Sequence, residues 1–255
     1  MKVKEIYQWI NERAPFDTQL DYDNSGLLVG SAEQEVSGIL FALDATEAVV
    51  AEAQSLGANL LITHHPLMFS PRRRLTDEDR EGRILLQMAR AHLSLISAHT
   101  CLDMAEGGIN DALAAACGLQ NVFGSGFVRV GQLPQAMNAQ SLSEYLSSAL
   151  HTVVRLMGDP DQVITKLGLC SGAGGEEWMA ARELGAEAFL SGEIKHHIAI
   201  EMSNAGIPAF ECGHYATELP GIFALADALQ NYLNQIKYRM DIFKSVVNVY
   251  SSHMP

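Results

Sequence analysis

His64 and His65 stand side by side at the end of an apolar run, in LLITHHPLMFS at residues 60–70. Neighbouring side chains on a strand point to opposite faces, so adjacent histidines can serve one site only where the strand gives way to a loop. Pro66 marks that change, because it offers no N–H and holds the residue before it extended. Two further motifs pair a histidine with a carboxylate four residues on: His99 with Asp103 in SAHTCLD, and His214 with Glu218 in GHYATE. His64, His65, Asp103, His214 and Glu218 together offer three imidazoles and two carboxylates. One ion needs three or four protein ligands, so five with open positions suit two divalent ions. Nitrogen and oxygen donors without thiolate fit zinc, manganese, iron, cobalt or nickel alike. His99 is read as an orienting hydrogen-bond partner or a proton relay, and is the candidate catalytic residue. Asp44, in FALDAT, serves the site or caps the helix that begins near Thr46.

These residues need elements that carry them to one place. Apolar runs and helical periodicity alternate along the chain: strand 37–43, helix 46–56, strand 59–63, helix 78–91 and strand 93–98. A second series follows: strand 163–169, helix 175–184, strand 187–190, helix 195–205 and strand 207–211. Such alternation predicts an α/β fold with largely parallel sheets. The two series also match in sequence. LGANLLITHH at 56–65 aligns with LGAEAFLSGE at 184–193, and SGILFALDAT at 37–46 falls on TKLGLCSGAG at 165–174 at the same spacing. The two His-x-x-x-carboxylate motifs follow in the same order, and the polar loop SPRRRLTDED accounts for the extra length of the first copy. An internal duplication of two similar α/β lobes is predicted, with the dinuclear site in the cleft where strand carboxyl ends face one another. The expected lobes are 1–125 and 126–220, with 221–255 packing back on the first.

His196 and His197 resemble the first pair but do not align with it, since Gly192 and Glu193 occupy that place; they are expected on a helix, lining the cleft. His92, His151 and His253 are expected at the surface or in packing. The glycine-rich CSGAGGEEW at 170–178 fits neither common phosphate-loop pattern, and close packing explains it as well as anion binding. DYDNSGLLVG at 21–30 is expected to form a turn near the cleft.

Composition narrows the partners. Thirty acidic against seventeen basic residues give a net charge of −13, which repels duplex nucleic acid and anionic membranes. With 48% hydrophobic and 18% charged residues the chain is expected to be a soluble globular protein. No stretch reads as membrane-spanning, and MKVKEIYQWINERAP is an amphipathic helix rather than a signal sequence. Cys101, Cys117, Cys170 and Cys212 form no Cys-x-x-Cys pair, which fits small buried side chains in a reducing cytoplasm.

DNSGLLVG, LLITHHPLMF, SAHTCLD and GHYATE together resemble the Nif-three-like family, which includes the GTP cyclohydrolase 1 type 2 homologs. The resemblance runs from the first helix almost to the end, with Tyr22 where tryptophan is expected. It implies a duplicated α/β fold with two metal ions held by the same five residues. It also implies a hexamer built as a trimer of dimers, with sites facing an inner cavity. The link over 126–162 is too short for the extra domain that some members carry. The function expected is a metal-dependent hydrolase acting on a nucleotide or similar small anionic compound. A metal-binding interaction or regulatory protein without turnover is the alternative.

Overall fold

The structure is a computed structural model that describes residues 1–247. Two compact units divide the chain: Met1–Leu102 with the segment that begins at Ile222, and Asp103–Gly221.

The first unit holds α1 (Val3–Asn11), β1 (Gly26–Val29), β2 (Gly38–Ala42), α2 (Glu47–Ser55), β3 (Leu60–Thr63), α3 (Arg80–Arg90), β4 (Ser94–Ser97) and the start of α4 (Thr100–Met104). In β2, β3 and β4 every residue is buried. That is why these strands read as continuous apolar runs instead of alternating: a parallel sheet is covered on both faces. On one face Leu40, Ala42, Leu61 and Leu95 pack against Val49, Val50 and Ala53 of α2 and Ile84 and Met88 of α3. The amphipathic α1 buries Val3, Ile6, Trp9 and Ile10.

The second unit holds α5 (Ile109–Ala116), β5 (Gln120–Phe123), β6 (Arg129–Asn138), α6 (Ala139–Leu150), β7 (Arg155–Met157), β8 (Val163–Cys170), α7 (Trp178–Glu183), β9 (Ala188–Ser191), α8 (His196–Asn204), β10 (Ala209–Glu211) and the start of α9 (His214–Gln235). From Ile222 onward α9 belongs to the first unit, as does β11 (Asp241–Lys244), which lies parallel to β2. The units divide at Leu102/Asp103, not near 125. The reason is packing: Leu113, Ala114, Cys117 and Leu119 share a core with Leu167, Leu169 and Leu190, so residues before 125 complete the second unit.

The duplication is visible in topology and register. In the first unit β2, β3 and β4 are parallel neighbours, and β1 lies antiparallel beside β4. In the second, β8, β9 and β10 are parallel neighbours, and β7 lies antiparallel beside β10. Each antiparallel strand follows a helix, α1 or α6. Ala42, Thr63 and Ser97 stand in line across the first sheet, and Cys170, Ser191 and Glu211 across the second. Ala42 to Cys170 and Thr63 to Ser191 are the same step along the chain that LGANLLITHH to LGAEAFLSGE makes. The copies differ most after their middle strands, where 64–79 connects β3 to α3 and only 192–195 connects β9 to α8.

All four cysteines are buried as free thiols. Burial pushes the Cys117 thiol up to about 12 and raises Cys170 and Cys212 as well. Those three remain protonated packing groups. No helix among the described residues is long and apolar enough to cross a membrane.

Candidate metal centre

In the first unit β3 ends at Thr63, and the chain turns as Pro66 requires. His64 is fully buried, and its Nδ1 donates to the Ala98 carbonyl just past β4, at 2.8 Å. His65 leans the other way, its Nδ1 2.9 Å from Asp44 Oδ1, while its backbone N–H donates to Leu43 O at 3.0 Å. Both contacts exist because β2, β3 and β4 are parallel and in register, so residues one or two past each strand end arrive together. His99 joins from β4, with ring centroids 5.1 Å from His64 and 5.5 Å from His65. One ligand atom from each of the three lies within 4.8 Å of the others.

Asp23 holds His99. Its Oδ1 accepts from His99 Nδ1 at 2.9 Å, and its Oδ2 accepts from the Thr100 N–H and hydroxyl at 3.0 and 2.5 Å, which also caps the start of α4. Burial alone would raise this carboxyl, but the hydrogen bonds from His99 and Thr100 outweigh it and keep it well below its ordinary value. Asp103, buried on α4, follows one turn after His99.

In the second unit His214 opens α9 and Glu218 follows on the next turn. Glu218 is buried, and its Oε1 lies 3.1 Å from His214 Nε2. The other ring nitrogen, Nδ1, is 2.8 Å from Glu193 Oε1. The backbone is pressed against this pair. Gly172 has φ +56°, and a Cβ there would come 2.2 Å from Glu218 Oε1; a Cβ on Gly192 would come 2.5 Å from Gly172 O. Glycine at 192, where the first copy has His64, therefore follows from crowding. The same crowding accounts for CSGAGGEEW. The Ser171 and Gly172 N–H groups donate to Asn110 Oδ1 and Thr217 Oγ1, and a Cβ on Gly174 would meet Cys170 Sγ.

A common pattern emerges. His64, His65, His99 and His214 each have Nδ1 held by an acceptor, so each imidazole carries its proton there and leaves Nε2 as the donor atom. This is how proteins orient histidines that bind metals, and the donor set of imidazole and carboxylate fits divalent ions. Asp23, Asp44 and Glu193 do the orienting. Asp44 is not a helix cap; Thr46 Oγ1 accepts from Val49 N instead. Glu193 had a readable signal, since it stands at the place of His65 in the second copy. Asp23 lies in the DYDNSGLLVG loop expected near the cleft, but nothing in its spacing marked it as the partner of His99, 76 residues on.

The remaining histidines lie elsewhere. His196 and His197 are exposed on α8. His92 and His151 adopt positive φ just after α3 and α6, as helix-terminating residues do. His253 lies outside the described residues.

The Duf34/NIF3 (NGG1p interacting factor 3) family model matches residues 1–249. The chain belongs to this family. Relatives within it include GTP cyclohydrolase 1 type 2 homologs from Clostridium perfringens, 30% identical over 92% of this chain and 93% of that protein, and from Nostoc sp., 35% identical over 77% and 79%. Among solved structures, a Staphylococcus aureus hypothetical protein superposes with TM-score 0.95 at 27% identity, covering 100% of this chain and 99% of the other. Reduced HcgD from Methanocaldococcus jannaschii superposes with TM-score 0.81 at 30% identity, covering 97% and 98%. Family membership agrees with the resemblance read from the four motifs, and the clusters of histidine and carboxylate agree with metal coordination.

Proposed function

We propose that this protein is a dinuclear metal-dependent hydrolase acting on a nucleotide or related small anionic compound. His64, His65, Asp103, His214 and Glu218 are the ligands of two divalent ions in this reading. The observation that carries the reading is the fixed Nδ1 of each histidine: binding groups are pre-oriented at the cost of committing Asp44, Asp23, Glu193 and the Ala98 carbonyl to them. α4 follows β4 after two residues and places Asp103 one turn beyond His99. Two ions in such a centre supply Lewis acidity and lower the pKa of water. His99, with Asp23 behind it, takes and returns the proton at Nε2. The nucleotide class is supported by the GTP cyclohydrolase 1 type 2 homolog name that the relatives carry. We place the protein in the cytoplasm, where its four free thiols stay reduced.

Asp103→Ala and Glu218→Ala test the centre, because a pair of dications needs carboxylates to neutralise it. Elemental analysis should find less metal in both variants, and unchanged stoichiometry in both rejects the ligand set. Screening the metal-replete protein against nucleotides, damaged nucleotides and phosphoesters should find turnover that metal removal abolishes. Full metal loading with no turnover across the screen favours a binding or regulatory protein.

A further inference from the structure

Phe69 stands half in solvent, 50% exposed, with its ring centroid 5.6 Å from that of His99 and the planes at 79°. Its position is fixed on both sides. Leu67 is buried, Met68 packs on the first unit's core, and the Met68 carbonyl accepts from Asn24 Nδ2 at 2.7 Å. On the other side Arg72 is clamped by Asp79 and Glu81, and its Nε donates to Arg74 O. A Phe ring kept partly wet on an anchored loop gains little from burial, yet it presents a flat face beside an imidazole of the candidate site. The same anchored loop exposes Arg73 and Arg74, neither of which makes an ion pair among the described residues. The two are adjacent in sequence and sit on one exposed stretch of a chain whose net charge is −13. They lie within roughly 14 to 18 Å of chain reach from Phe69, and Arg suits phosphate.

We propose that Phe69 is the platform on which a planar heteroaromatic ring of the substrate stacks, and that Arg73 and Arg74 meet the anionic group joined to that ring. The inference rests on the hydrolase reading and narrows its substrate to the nucleoside-phosphate type, with these three residues determining specificity. Stacking on an aromatic side chain contributes about 1–3 kcal/mol per base, or roughly five- to a hundredfold in affinity.

Titration calorimetry on the zinc-loaded protein tests this with three probes: guanosine monophosphate, guanosine and ribose 5-phosphate. The wild type should bind the nucleotide at least about tenfold more tightly than ribose 5-phosphate. Phe69→Ala and Phe69→Leu should erase that ratio while leaving ribose 5-phosphate unchanged, and Phe69→Trp should keep it. Arg73→Gln combined with Arg74→Gln should weaken both phosphates alike and leave guanosine alone. Equal binding of nucleotide and ribose 5-phosphate by wild type overturns the platform, as does a Phe69→Ala variant that weakens both phosphates equally. An arginine double variant with unchanged ribose 5-phosphate binding overturns the anion site. Zinc stoichiometry, measured on each variant, separates these outcomes from failure of the metal centre itself, which shows as zinc lost or never bound.

Discussion

At the scale of residues, adjacent histidines are held by unlike partners. His64 is buried against a backbone carbonyl, while His65 is held by a half-exposed carboxylate. His64→Ala and His65→Ala should therefore both lose metal, but unequally and at different ions. Anomalous diffraction on the two variants, read site by site, checks this; full occupancy of both ions in either variant removes its histidine from the ligand set. Asp23 adds a dependence on pH. Its folded carboxyl lies below its ordinary value of 3.8, so the stability it contributes is fully present above that value and is lost as pH falls through the acid range. Urea unfolding of the metal-free protein between pH 7 and 3 should show wild type losing stability in acid more steeply than Asp23→Asn. Parallel curves would place the effect elsewhere.

At the scale of elements, strand ends do the positioning. Asp44 and Thr46 leave β2 two residues apart yet serve different ends: Asp44 orients His65, and Thr46 caps α2. Thr46→Ala should lower stability by about 1 kcal/mol with metal content unchanged. Asp44→Asn should leave stability nearly intact and weaken metal affinity about ten- to a hundredfold. Denaturant titration and competition with a chelator distinguish the two, and a reversed pattern would exchange the roles. The buried parallel strands were legible because burial on both faces leaves nearly unbroken apolar runs. The short β1, β5, β7 and β11 were not, since four residues or fewer at or near a sheet edge carry little pattern. Nor was the length of α9, which continues through Pro220, a residue that ordinarily ends a helix.

At the scale of the whole molecule, the duplicated topology gives each unit its own sheet and core, with α4 and α9 as the stretches of chain where one unit passes into the other. We propose that the chain assembles as a hexamer, a trimer of dimers, as the family resemblance implies; net charge of −13 keeps such an assembly soluble. Light scattering at micromolar concentration should return six times the chain mass of 27.7 kDa. A monomer there removes the enclosed cavity from the account.

The sequence by itself determined the βαβ series, the repeat and the candidate ligands. Strand burial, helical spacing and a donor set confined to imidazole and carboxylate are local patterns, and duplication printed the framework twice. Tertiary structure alone decided what holds those ligands. Asp44 and Glu193 each reach their histidine across 21 residues, a distance closed by parallel strands in register, and Asp23 reaches His99 across 76 from the loop that precedes β1, the strand antiparallel to β4. It also decided where the units divide, because Leu113 and Cys117 belong to whichever core they fill and not to the stretch of chain in which they occur.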